Sequence, residues 1–220
     1  MRTLSIVTLT TLIAAPLAAQ GGNPADPDKK VAGGGTLPAG WSAHLDQATA
    51  SLSDVKFAPM GGGFHVTTGP AVILWKETDT VNGPFHTLAT FTQTKAPTHP
   101  EAYGIIIGGK DLKSATPTYL YFIVRGDGKF MINKMAGGTR TTLVPWTDNE
   151  AIVKQDATTG KATNKLEIDG KVDPSKIAFK VNGKVVHEIP SAGTDIGGAV
   201  GLRVNHNLDV HIDGFAVHKL

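Results

Sequence analysis

The chain has 220 residues, of which 40% are hydrophobic, and this length and composition suit one β-sandwich domain with a substantial core. The formal net charge is +2 and the basic residues are spread along the chain, so the sequence does not indicate a nucleic-acid partner. The absence of cysteine excludes disulfides and cysteine metal sites.

The first residues match the pattern of a secretory signal peptide. Arg2 is followed by the apolar run 4–15 and by small residues up to Ala19, which predicts that residues 1–19 are cleaved off. The apolar run is far shorter than the ~20 residues that a membrane-spanning helix needs, so membrane insertion is not expected. An exported chain without cysteine is more typical of bacteria than of small animal ectodomains, which commonly depend on disulfides. We therefore expect a bacterial periplasmic or extracellular protein.

Residues 20–39 are rich in glycine, proline and charge and contain almost nothing to bury. This composition is typical of a flexible leader, so the domain is expected to occupy residues 40–220. The glycine clusters of the chain lack the Gly-Lys-Ser/Thr ending of a phosphate-binding loop, and they predict turns instead.

Short runs with β-type composition then follow one another along the chain. Residues 68–70, Thr-Gly-Pro, predict a hairpin or a corner between two of these runs. Only residues 149–156 show a trace of helical period. The predicted strands are 54–58, 63–67, 71–75, 85–94, 103–107, 119–125, 129–135, 141–146, 164–168, 176–182 and 184–189.

Two hairpins have clear turn signals. Residues 126–128, Gly-Asp-Gly, separate the β-rich runs YLYFIVR and KFMINKM, and the first run is apolar on both faces, as in a central strand. Asn182-Gly183 is the pair that a type I′ turn favours, since both of its central residues need positive φ.

The stretch 197–217 predicts the two closing strands. Its apolar positions keep a period of two through Val200 and Val210, and Gly214 marks a bulge before Phe215 and Val217. If the two strands form a hairpin, Arg203 lies opposite Asp209. The other face then carries one polar row: Arg203, Asn205, Asp209, His211 and Asp213.

About ten to twelve strands without crossover helices predict an all-β, antiparallel, two-sheet jelly-roll sandwich. The motifs YFIVRGDGKF at 121–130, Trp146, IAFKVNGKV at 177–185, Gly-Leu-Arg at 201–203 and Phe-Ala-Val at 215–217 resemble those of the concanavalin A-like lectin/glucanase superfamily. They are most similar to bacterial exported domains of the 3-keto-disaccharide hydrolase-like type. The resemblance implies a concave sheet and a glycan ligand.

Catalytic residues are not indicated. Glu167-Ile168-Asp169 begins the alternating acidic motif of laminarinase-like enzymes, but Lys171 stands where the next carboxylate is needed, so a family 16-type hydrolase is not predicted. The other histidines show no metal-ligand spacing.

The polar row and the aromatic residues supply the candidate binding site. Carboxylate and imidazole groups could orient sugar hydroxyls or bind calcium, and Asp209 and Asp213 are the candidate calcium ligands. Flat rings with a polar edge suit sugars. The candidate ligand-binding residues are Arg203, Asn205, Asp209, His211, Trp146, Trp41 and Tyr121.

These observations favour an exported module that binds a glycan on its concave sheet without catalysis. One alternative is a glycoside-cleaving enzyme of the 3-keto-disaccharide hydrolase-like type. A second alternative is a structural or assembly module of the cell envelope, which would expose an apolar patch. The sequence does not specify the oligomeric state or the glycan.

Overall fold

A computed structural model describes residues 26–220, which fold into two antiparallel sheets of seven strands. The front sheet has the order β1-β4-β13-β6-β7-β8-β9 and the back sheet the order β12-β11-β10-β5-β14-β3-β2. The strands are β1 (Ser42–Leu45), β2 (Val55–Met60), β3 (Gly63–Thr68), β4 (Val72–Val81), β5 (Phe85–Gln93), β6 (Ala102–Lys110), β7 (Thr118–Arg125), β8 (Lys129–Ala136), β9 (Thr139–Asp148), β10 (Ala162–Gly170), β11 (Lys176–Val181), β12 (Lys184–Pro190), β13 (Gly198–Val204) and β14 (Asp209–Lys219).

The main core lies between the two sheets and follows from the period of two along each strand. On β7, Leu120, Phe122 and Val124 point into this core, where Phe122 meets Phe179 of the back sheet with ring centroids 5.3 Å apart. The alternate residues Tyr119 and Tyr121 point to the opposite face of the front sheet.

A second, smaller apolar layer therefore covers the outer face of the front sheet. We call this layer the front cluster. It consists of Ile73, Trp75, Ala102, Ile106, Leu112, Tyr119, Tyr121, Ile123 and Ala199.

The predicted fold class, an all-β antiparallel two-sheet sandwich, is confirmed. Every predicted strand is present, and the total of fourteen exceeds the expected ten to twelve. The helix suggested at 149–156 is wrong, because the side chains of Asn149 and Asp156 accept hydrogen bonds from backbone N–H groups two or three residues on and so form turns. Among residues 26–220 the only helical element is one 3-10 turn, Leu52–Asp54.

The local turn signals are also confirmed. Asn182 and Gly183 have φ values of 51° and 80°, as a type I′ turn requires, and they join β11 to β12. A register shift between Asp213 and Ala216 places the predicted bulge around Gly214. Residues 68–70 form a corner, since β3 belongs to the back sheet and β4 to the front sheet.

The leader differs from its prediction in the part that the structure describes. The side chain of Asn207 donates to the Pro27 carbonyl and accepts from the backbone N–H of Lys29, and Leu37 packs against the main core. Residues 26–39 are thus attached to the domain through contacts that composition alone does not reveal. The predicted signal peptide and residues 20–25 lie outside the described residues.

Within the described part of the chain, no helix has the length and apolar character needed to cross a membrane.

We expect Asn182→Ala to lower the free energy of unfolding by about 1–2 kcal/mol, because alanine disfavours positive φ and the substitution removes side-chain hydrogen bonds. The Asn182 side chain donates to the Ala151 carbonyl at 2.8 Å and accepts from the N–H of Lys165 at 2.9 Å. Urea denaturation measures the loss. Lys184→Ala in the same hairpin is the matched control and should change stability by less than about 0.5 kcal/mol. Equal losses in the two variants would contradict this role of Asn182.

Candidate functional site

A pocket of about 340 Å³ indents the outer face of the front sheet, beside the front cluster. Its lining combines six acidic and arginine side chains with amide, aromatic and imidazole groups. The residues are Asp28, Asp46, Gln47, Ala71, Pro100, Glu101, Tyr121, Ile123, Arg125, Met131, Asn133, Arg140, Trp146, Arg203, Asn205 and His206.

Strand alternation explains why β13 and β7 contribute to this pocket. Val200, Leu202 and Val204 of β13 are in the main core, so Arg203 projects from the outer face. Tyr121 projects from the same face of β7, and the Arg203 guanidinium carbon lies 4.9 Å from the centre of its ring.

Arg203 is bonded to several other side chains of the pocket and its surroundings. It is only 6% exposed, and its guanidinium binds both carboxylate oxygens of Asp46, with 3.0 Å between Nη1 and Oδ1. The same Nη1 donates to the Tyr119 hydroxyl at 3.2 Å, and Nε donates to the Asn205 side chain at 3.1 Å. Because the buried guanidinium of Arg203 is held by hydrogen bonds through all three of its nitrogens, Arg203 and its partners form a rigid floor of the pocket.

The ion pair determines the ionisation of its members. Burial alone would raise the pKa of Asp46, but the charge of Arg203 and its hydrogen bonds outweigh burial and hold that pKa below its usual value. Burial raises the pKa of Tyr119, which keeps its hydroxyl neutral. The floor therefore carries a matched pair of charges and a neutral phenol across the ordinary pH range.

An aromatic ring forms part of the pocket wall. Trp146 is half-buried on β9, and the Arg125 guanidinium carbon stands 4.3 Å from the centre of its indole. Asn133 donates to the Tyr121 hydroxyl at 2.8 Å, which fixes the tyrosine below. Trp146 is thus held by its contact with Arg125, and Tyr121 by its hydrogen bond with Asn133.

Another part of the pocket lining is acidic and contains His206. The two ring nitrogens of His206 lie 2.9 Å from Glu101 Oε1 and 3.1 Å from Asp28 Oδ1. The hydrogen bond with Glu101 raises the pKa of His206, burial acts against it, and the charges of Glu101 and Asp28 reinforce the rise. Asn205 also donates to Glu101, at 3.1 Å.

Four of the predicted ligand-binding residues come together in this pocket: Arg203, Asn205, Trp146 and Tyr121. The remaining three, Asp209, His211 and Trp41, lie elsewhere. The expected hairpin of the two closing strands is wrong, because β13 pairs with β4 and β6 whereas β14 pairs with β3 and β5 of the other sheet. Arg203 and Asp209 therefore project from opposite faces of the sandwich.

On the outer face of the back sheet, Asp209 already has a full set of partners. Its carboxylate meets His65 Nε2 at 2.7 Å and Lys95 Nζ at 2.8 Å, and the Thr94 hydroxyl donates to it. The ring of His211 stacks with that of His65 at a centroid distance of 6.5 Å. Asp209 is therefore fully bonded, whereas Nδ1 of His65 and Nδ1 of His211 are buried without a hydrogen-bond partner among residues 26–220.

The placement of Asp213 corrects the expected shared calcium site. Asp213 lies four positions beyond Asp209 on β14, which separates them by about 13 Å at the usual rise per residue. Asp213 Oδ1 accepts from the N–H of Gly214 at 2.8 Å. Two carboxylates so far apart cannot bind one ion together.

Of the aromatic candidates, Trp146 and Tyr121 line the pocket and Trp41 does not. Trp41 packs against the main core, with its ring 5.2 Å from that of Phe64 and 5.5 Å from that of Phe215, and it is not part of the pocket. Trp75 is 2% exposed and belongs to the front cluster.

Sequence reasoning missed several residues of the pocket, above all Asp46, Glu101 and His206. Asp46 follows β1 and lies 157 positions from Arg203, and Glu101 lies 105 positions from His206. No local pattern links such residues. The one available signal was Arg203 itself, since an arginine between buried strand positions needs a carboxylate partner.

We expect Asp46→Asn to lower the free energy of unfolding by about 2–4 kcal/mol at pH 7, because it leaves Arg203 buried without a counter-charge. The folded-state pKa of Asp46 is depressed, so this contribution is present above its unfolded pKa of about 3.9 and is lost as the pH falls through the lower folded value. Urea denaturation at pH 7 and pH 3 should show the difference between wild type and variant narrowing at the lower pH.

Glu150→Gln is the matched control, since Glu150 is 91% exposed in its pair with Lys184. It should change stability by less than about 0.5 kcal/mol. If Asp46→Asn behaves like this control, the ion pair does not hold the pocket together.

The geometry can be compared with known proteins. The chain matches no protein-family model and no curated protein. Among solved structures, the carbohydrate-binding module CBM66 from Bacillus subtilis aligns with a TM-score of 0.60 and 9% identity, over 87% of this chain and 100% of that one. A Bacillus subtilis protein of unknown function with a galectin-like fold gives 0.53 and 12%, over 81% and 89% of the two chains.

A β-glucanase from Bacillus licheniformis aligns with a TM-score of 0.52 and 11% identity, over 84% of this chain and 94% of that one. At such identities the likeness shows the fold alone. It confirms the jelly-roll sandwich fold. The resemblance to the concanavalin A-like superfamily, and within it to 3-keto-disaccharide hydrolase-like domains, stays a prediction.

Proposed function

We propose that this protein binds the end of a neutral glycan, and does not cleave it. The binding site is the pocket in the outer face of the front sheet, which we call the front pocket. The observation that carries the proposal is the pairing, in one pocket, of the Trp146 ring with the rigid ion pair of Arg203 and Asp46. A sugar offers an apolar ring face and a rim of hydroxyl groups. An indole suits the former, and fixed charged hydrogen-bonding groups suit the latter.

The charge and size of the pocket indicate the kind of glycan. Three carboxylates, from Asp28, Asp46 and Glu101, face three arginines, Arg125, Arg140 and Arg203, so the charges balance when His206 is neutral. A balanced lining favours a neutral ligand over a polyanion. The volume of about 340 Å³ is at the lower end for ligand pockets, which suits the end of a chain or a small saccharide.

The alternative, a glycoside-cleaving enzyme, is less favoured by the same groups. Hydrolysis needs one carboxyl group that keeps its proton beside one that is ionised. The pKa of Asp46 is lowered and its two oxygens are bound by Arg203, so Asp46 has no proton to give. Glu101 is bonded to Asn205 and His206. The shared fold does not decide between binding and catalysis, since both occur among the similar structures.

The proposal extends to export, for which the support is the signal-peptide pattern of residues 1–19 alone. A glycan outside the cytoplasm or in the bacterial envelope would then be the partner. The structural-module alternative has less support, because the exposed large apolar side chains of residues 26–220 belong to different elements. Met60, Leu143 and Val185 are on the strands β2, β9 and β12, and Val153, Val172 and Leu220 lie outside the strands.

The purified protein should bind a restricted set of neutral glycans on a glycan microarray. For the glycan that binds most tightly, Trp146→Ala should raise the dissociation constant measured by calorimetry by roughly tenfold or more, because the substitution removes the ring on which the sugar stacks. Trp41→Phe is the matched control and should leave the affinity unchanged, since Trp41 packs against the core outside the pocket.

A blank array would contradict glycan binding, and equal effects of the two tryptophan substitutions would contradict the assignment to this pocket. Incubation of the bound glycan with the protein, followed by mass spectrometry, should show no cleavage products. Cleavage that Asp46→Asn or Glu101→Gln abolishes would establish the enzyme alternative instead.

A further inference from the structure

Three side chains from separate parts of the chain meet at the rim of the front pocket. Asp26 belongs to the segment before β1, Glu101 immediately precedes β6, and His206 follows β13. One possible ligand atom from each lies within 4.8 Å of the others. We call these three residues the rim cluster.

Each member of the rim cluster is oriented by a neighbouring group. Asn207 Nδ2 donates to Asp26 Oδ1 at 3.1 Å, and Asn205 Nδ2 donates to Glu101 Oε2 at 3.1 Å. Asp28 Oδ1 lies 3.1 Å from His206 Nδ1. Supporting contacts of this kind, including a carboxylate on the far nitrogen of a histidine, are typical of metal ligands.

These contacts leave one further polar atom of each member uninvolved: Asp26 Oδ2, Glu101 Oε1 and His206 Nε2. Glu101 Oε1 and His206 Nε2 are 2.9 Å apart. Asp26 is 4% exposed, and its Oδ2 is buried without a hydrogen-bond partner among residues 26–220. A buried carboxylate oxygen without a partner is costly and requires an explanation. A bound cation would provide one.

The negative charge around His206 also favours a bound cation. The carboxylates of Asp26, Asp28 and Glu101 surround the single imidazole of His206. Lys29, in the same segment, directs its Nζ to the Thr98 hydroxyl at 3.4 Å. Asp26 is not among the balanced charges of the pocket lining, and a divalent cation bound here would offset the negative charge that it adds.

We propose that Asp26 Oδ2, Glu101 Oε1 and His206 Nε2 bind a divalent ion of the zinc type. An imidazole together with carboxylates suits Zn²⁺ better than Ca²⁺, which takes six to eight oxygen ligands. The ion would join the segment at 26–28 to the pocket wall formed by Glu101 and His206. The site is distinct from Asp209 and Asp213, to which the sequence assigned calcium.

Calorimetry on the purified, chelator-treated full chain tests this directly, with ZnCl₂ and CaCl₂ titrated separately and no glycan present. We expect one equivalent of Zn²⁺ to bind, more tightly than Ca²⁺ by at least tenfold. Asp26→Asn and Glu101→Gln should each weaken Zn²⁺ binding at least tenfold. Asp213→Asn, a carboxylate on the opposite face, is the matched control and should leave it unchanged.

A spectroscopic measurement gives a second, independent test. In the unmutated protein, Zn²⁺ should shift the imidazole nitrogen resonances of one of the eight histidines, and this shift should be absent from His206→Gln. Absence of saturable Zn²⁺ binding, wild-type affinity in both carboxylate variants, or no histidine shift would each overturn the proposal. Because no glycan is present, these outcomes are independent of glycan binding.

Discussion

The buried guanidinium of Arg203 is the constraint on which the front of this molecule depends. A charge that is 6% exposed must be neutralised and hydrogen-bonded, and here that requirement joins the loop after β1, strand β7 and the end of β13 at one point. Asp46 supplies the charge, Tyr119 a neutral acceptor and Tyr121 a ring face. The pocket is the space left above this arrangement.

The two apolar layers have different roles. The main core joins the sheets and supplies the stability of a chain without disulfides, whereas the front cluster supports the pocket from one side. Strand β7 belongs to both layers, with Phe122 facing one and Tyr121 the other. An apolar strand with two buried faces thus connects the stability of the domain to the shape of its binding surface.

The fold was largely predictable because its signals are local: alternation on each strand, positive φ at Asn182, and a bulge at Gly214. Sheet partners were not, since adjacent strands with a short connection can form a hairpin or a corner. At 205–208 the chain crosses between sheets, with Asn207 at a φ of 55° and its N–H bonded to the Gly69 carbonyl. The pocket was only half predictable, because Arg203 and Trp146 were recognisable types whereas Asp46 and Glu101 come from distant segments.

The distance in sequence between Arg203 and its partners has a consequence for how the chain reaches its final shape. Asp46 is 157 positions away and Tyr119 is 84 positions away. Contacts of such long range must wait for large loops to close, and β-sandwiches dominated by them fold in milliseconds to seconds. Until β13 takes its place between β4 and β6, Arg203 cannot reach its partners and the pocket is incomplete. Folding and acquisition of the binding surface are therefore one late event.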